Sequence, residues 1–78
     1  MDRHILLEHL ALAERHVDEG EGHLAQQRAH VDELERDGRD SSVARELLHT
    51  MEQTQVLHLA DRERIRRELD EEGSATTE

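Results

Sequence analysis

Hydrophobic positions recur along this chain with a seven-residue period. Leu10, Val17, Leu24 and Val31 fall at one heptad position, a, and Leu6, Ala13, Gly20, Gln27 and Leu34 at a second, d. That spacing draws one stripe along an α-helix and predicts a single helix over residues 2–36. Inside it a two-heptad unit is written twice, as HLALAERHVDEGEG from His9 and HLAQQRAHVDELER from His23, with HLA and HVDE kept in both copies. Two heptads return to nearly the same face, so both copies show the same residue types to the same neighbour. Gly20 and Gly22 interrupt the pattern, each at a cost of about 1 kcal/mol relative to Ala in a helix interior. The repeat keeps its phase across them, and one continuous helix is expected.

The stripe ends at Asp37-Gly38, where a Gly just past the last periodic residue signals a helix C-terminus. Arg39-Asp40-Ser41-Ser42 then offers Asp and Ser side chains to cap a following helix. With a turn at 37–40, a second helix is predicted over 41–70, carrying Leu48, Gln55, Arg62 and Leu69 at a and Ala44, Met51, His58 and Ile65 at d. The expected fold is all-α, an antiparallel hairpin of two long helices over 1–72 with a flexible tail at 73–78.

Antiparallel pairing of a with d positions about that turn sets a register. Leu6 meets Leu69, Leu10 meets Ile65, Leu24 meets Met51 and Val31 meets Ala44. The middle is polar, because Ala13 faces Arg62, Val17 faces His58 and Gly20 faces Gln55. Polar residues in a seam fix register or oligomeric state at some cost in stability.

Composition sharpens this picture. The 78 residues include no aromatic side chain, so the core must be built from Leu, Ile, Val, Met and Ala. Such a core is thin, and association is the expected source of further burial. A net charge of −10 repels phosphate, which argues against nucleic acid and anionic membranes as partners. There is no Cys, hence no disulfide and no thiolate chemistry. The opening MDRHILLEHL lacks the uncharged apolar run of a signal peptide and no stretch approaches transmembrane length, so the expected location is the cytoplasm. All ten basic residues are Arg, a bias that fits a GC-rich bacterial genome.

The candidate chemistry is histidine. His9, His16, His23 and His30 recur every seven residues at position g, which in an antiparallel pair flanks the seam on one side. The register puts His9 near Glu68, His16 near Asp61, His23 near Thr54 and His30 near Leu47. Ile5, Leu12 and Leu57 occupy c positions beside this edge, where a lone hairpin leaves them in water. An apolar edge on an acidic helix is best explained by contact with a second subunit. The expected assembly is a homodimer forming a four-helix bundle, with Ile5, His9, Leu12, His16, His23, His30 and Leu57 at the interface; another protein is the alternative occupant.

Metal binding is the sharper reading of the histidines. Successive members of the row lie about 10.5 Å apart along the axis, too far to share one ion, so further ligands must come from the other helix. The set that results is His16 with His58 and Asp61, extended by His23, for Zn, Ni or Cu; Glu19 with His23 is a weaker pair. Glu46 and His49 have the Glu-x-x-His spacing of di-iron bundles but point away from the seam, and the first helix has no matching inward Glu. The arginine-rich run from Asp61 to Glu68 is interleaved with acids, pairing Glu63 with Arg67, Arg64 with Glu68 and Arg66 with Asp70, and reads as a solvated helix face. Ser41, Ser42, Thr50 and Thr54 lack the His-Asp arrangement of a nucleophile. The expectation is a non-enzymatic, homo-oligomeric interaction or regulatory module, with a small His-rich metal-binding protein as the alternative.

The run LAERHVDEGEGHLAQQR, followed by ELERDG and HLADRERIRREL, resembles a group of uncharacterised short proteins from GC-rich proteobacteria, with rhizobial relatives, that share an AERH…EGE.H…ELERDG…H.ADR pattern. The resemblance covers most of residues 9–69. It implies a bacterial, cytosolic helical hairpin and transfers no catalytic residue. In that group a Gly followed by a charged residue commonly precedes the third His, whereas here Gly22 doubles the glycine.

Overall fold

A computed structural model describes residues 2–75 of the chain. They form two antiparallel helices, α1 (Arg3–Arg36) and α2 (Ser42–Ala75), packed along their length into a rod of 63 × 15 × 14 Å. The start of α1 and both sides of the turn are closed by local devices that the sequence supplies. The Asp2 carboxylate accepts the backbone N–H of His4 at 3.2 Å, while its carbonyl accepts that of Leu6 at 3.0 Å. At the other end of α1, Gly38 takes φ +67°, the left-handed conformation that only Gly adopts without strain. That lets Gly38 N–H reach the Glu35 carbonyl and Arg39 N–H reach the Leu34 carbonyl, the paired bonds that seal a helix C-terminus and reverse the chain.

The start of α2 is held by Asp40. Its Oδ1 accepts both the backbone N–H and the hydroxyl of Ser42, at 3.0 and 2.8 Å, and Ser41 contributes the first helical carbonyl to Arg45 N–H. The backbone N–H of Ser42, and then its hydroxyl, hold the Asp40 carboxyl below its ordinary value. The far end of α2 differs from expectation. The helix passes Asp70 and continues through Gly73 to Ala75, because Glu71 and Glu72 are good helix formers and Glu72, half-buried, extends the d stripe by one more turn. Of the tail expected at 73–78, Gly73 to Ala75 are therefore helical, and 76–78 lie outside the described residues.

The seam follows the heptads. Every a and d position from Leu6 to Leu34 and from Ala44 to Leu69 is buried or half-buried. At the open end Leu6, Ala13, Ile65 and Leu69 form one apolar cluster, with Leu10 packed against it. Val17, Leu24 and Val31 on α1 and Ala44 on α2 carry the burial on toward the turn. α1 runs unbroken through Gly20 and Gly22, as the phase of the repeat requires.

One side of this seam is laced by charge. Position e of each helix faces its counterpart on the other, giving Glu14 with Arg66 at 3.2 Å, Arg28 with Glu52 at 3.7 Å, and Glu35 with Arg45. Arg66 thus bonds across the hairpin rather than along its own helix to Asp70. These are exposed pairs, worth little individually, but they occupy a single edge and leave the opposite one to the histidines.

A pH test follows from the Asp40 cap. A carboxyl whose value is depressed by folding contributes stability above the ordinary carboxylate range and loses that contribution as pH falls through the folded value. Asp40→Ala is expected to lower the melting temperature at pH 7, with the deficit against wild type shrinking in acid. Asp40→Asn keeps a capping oxygen and removes this acid dependence. Thermal melts by circular dichroism at both pH values check it; an acid-independent deficit in Asp40→Ala contradicts it.

Candidate functional site

The polar centre of the seam is organised by Gln55, the buried polar residue of the core at 5% exposure. Its Nε2 donates to the Val17 carbonyl at 3.0 Å and to Glu21 Oε1 at 3.1 Å, so the α2 side chain grips the backbone and a carboxylate of α1. Gly20 is what admits it. A Cβ at position 20 would stand 1.9 Å from Gln55 Oε1 and 2.8 Å from its Cδ, a distance no real methyl tolerates. Gln27 acts in the reverse direction, donating its Nε2 to the Ala44 carbonyl at 3.0 Å. Each helix thus sends an amide to the main chain of the other, and a slip of register would leave the buried Gln55 amide without its carbonyl.

Gln55 also orients a histidine. Both of its donor hydrogens are directed at α1, so Oε1 is the atom that meets His58 Nδ1 at 3.3 Å. For that contact to be a hydrogen bond, Nδ1 must carry the proton; the neutral ring then presents Nε2 as a free lone pair. The His58 ring lies against His16 of α1, with centroids 5.4 Å apart and planes at 34°. His58 is half-buried and His16 exposed. Beside them a cleft of about 130 Å³ opens between the helices, lined by Gly20, His23, Thr50, Met51, Thr54, Gln55 and His58.

The four histidines of the row are all exposed, and they stay on one edge. His23 and Thr54 line the central cleft together, and His30 and Leu47 share a shallower one nearer the turn, both as the register requires. Asp61 takes a different partner from the one anticipated. Its carboxylate accepts from Arg64 Nη2 at 2.7 Å, while Arg64 Nη1 bonds Glu68 at 2.8 Å, and these bonds, that to Asp61 foremost, raise the guanidinium above its ordinary value. The geometry therefore brings His16 and His58 together, sets His23 in the adjoining cleft and turns Asp61 along its own helix. Among the described residues no group of three or more His, Asp or Glu side chains is arranged to hold a metal ion. Glu46 and His49 are exposed.

Apolar side chains crowd the same edge. Ile5, Leu12 and Leu57 are 40%, 47% and 69% exposed, and Val43 and Leu47 join them at 77% and 49%. Val43 sits at c and Leu47 at g, so the heptad that flagged the first three also marks these two. Leu7, Val56 and Leu59 are exposed on the ion-paired side. The role of Gly20 and the reach of the Gln55 amide were less accessible, since a periodic pattern locates a polar seam residue but not the carbonyl it will find. Arg62, half-buried in the seam, keeps a buried Nε without a hydrogen-bond partner, a residual cost of the polar centre.

No family model, characterised protein or solved structure matches this chain. Among the described residues no helix is long and apolar enough to cross a membrane.

The two glycines of α1 predict opposite responses. Gly22 has open space where a Cβ would stand, so Gly22→Ala is expected to stabilise by about 1 kcal/mol through helix propensity alone. Gly20→Ala displaces the Gln55 amide and is expected to destabilise. Urea denaturation of both variants reads the difference, and equal stabilisation by the two would refute the Gln55 contact.

Proposed function

We infer that this chain is a non-enzymatic interaction module that works as a homodimer, two hairpins joining their histidine-bearing edges into a four-helix bundle. The observation behind this reading is the placement of exposed apolar side chains. Ile5, Leu12, Val43, Leu47 and Leu57 all occupy c or g positions on the edge opposite the interhelical ion pairs, and a rod only two helices thick has no layer of its own to cover them. A two-fold axis along the rod lays α1 of each copy over α2 of the other, so the apolar c and g side chains of both helices are covered together. The small apolar core gives such a pairing a thermodynamic motive.

Sedimentation of the full chain tests this. The expected mass is twice 9.1 kDa, falling to that of one chain in Leu12→Glu and Leu57→Glu but unchanged in Leu59→Glu on the ion-paired side. A wild-type chain that sediments as a monomer at every concentration would remove the homodimer from consideration.

A further inference from the structure

We propose that His16 and His58 form a two-nitrogen chelate for one divalent transition ion of the Zn²⁺, Ni²⁺ or Cu²⁺ class per chain, with water in the remaining positions. This site stands independently of dimerisation, since both rings belong to one hairpin. Three observations converge on it. The first is distance. For two imidazoles on one ion, with metal–nitrogen bonds of about 2.0 Å and a tetrahedral angle, the ring centroids lie about 5 Å apart. Those of His16 and His58 are 5.4 Å apart, on different helices, so the ring separation that a shared ion requires is already present.

The second is the state of the His58 ring. A metal-bound imidazole characteristically donates its other N–H to an oxygen, which fixes the ring and leaves the lone pair aimed outward. Gln55 Oε1 already provides that oxygen to His58 Nδ1, and Gln55 is itself held by Val17 and Glu21. The chain from α1 backbone to amide to imidazole therefore favours the Nδ1–H tautomer, which leaves Nε2 for an ion. The third is access and composition. His16 is exposed and His58 half-buried at the rim of the central cleft, in a chain whose net charge of −10 concentrates cations around it. His23 is excluded from the ligand set, because one heptad places it about 10.5 Å from His16 along the axis, and Asp61 is excluded because its carboxylate is engaged by Arg64.

Calorimetric titration of the untagged full chain with Zn²⁺ tests the site, with a parallel record of the His ring nitrogens by long-range ¹H–¹⁵N correlation. One equivalent is expected to bind first, weakened by about a hundredfold in His16→Ala and in His58→Ala, where the second ligand of the chelate is gone. His30→Ala, on the same edge but near the turn, should titrate like wild type. In the metal-free protein at pH 8 His58 should show the Nδ1–H tautomer, and Zn²⁺ should shift its Nε2 resonance. Gln55→Leu releases that tautomer and should weaken binding about 10- to 100-fold. His16→Ala alters an exposed side chain and retains the helix, so this arm is readable even if Gln55→Leu loosens the seam. Binding unchanged in His16→Ala, an equal loss in His30→Ala, or an Nε2–H tautomer at His58 in the wild type would each overturn the proposal.

Discussion

Seam amides, Gln55 foremost, hold the register of this hairpin. Gln55 is buried where an apolar residue would ordinarily sit, and its Nε2 reaches the Val17 carbonyl of the opposite helix because Gly20 leaves room. Apolar layers alone define register loosely in so small a core, since Leu, Val and Ala can interdigitate at more than one offset. An amide that must find one carbonyl tolerates no such choice, because any other offset strands a buried donor. The glycines that look like a flaw in α1 have separate meanings. Gly20 accommodates the Gln55 contact between the two helices, whereas Gly22 has open space where a side chain would stand.

From that alignment the two long edges of the rod acquire different characters. Along one, the e positions exchange salt bridges three times, satisfying the helices internally and presenting mixed charge to water. Along the other, the g and c positions present imidazoles and aliphatic side chains that the fold leaves uncovered. The two flanks thus differ, one laced by ion pairs and the other lined by imidazoles. The same row of imidazoles that marks this flank meets the polar centre where His16 packs on His58, so the uncovered apolar side chains and this ring pair adjoin each other.

Much of this was legible in the heptads. Leu6 against Leu69 and Gly20 against Gln55 follow from the position of the turn once antiparallel pairing is assumed, and Asp37-Gly38 announced where that turn would fall. Periodicity is a statement about backbone phase, and backbone phase is what it recovered. The choices of long flexible side chains escaped it. Arg66 reaches Glu14 rather than Asp70, and Asp61 accepts Arg64 rather than lying free beside His16, because several exposed partners of nearly equal energy compete within reach of each guanidinium. The end of α2 escaped it for a related reason. Gly73 carries a propensity penalty near 1 kcal/mol, too small to stop a helix whose stripe Glu72 still extends.

The tight reversal at Gly38 bears on how the chain reaches this structure. The residues nearest the turn are also the nearest in sequence, so the first layer to form closes only a short loop, and each later layer closes against helices already brought together. The Gln55 layer stands midway between that reversal and the apolar cluster at the open end, where a pairing out of register would leave its amide without a carbonyl.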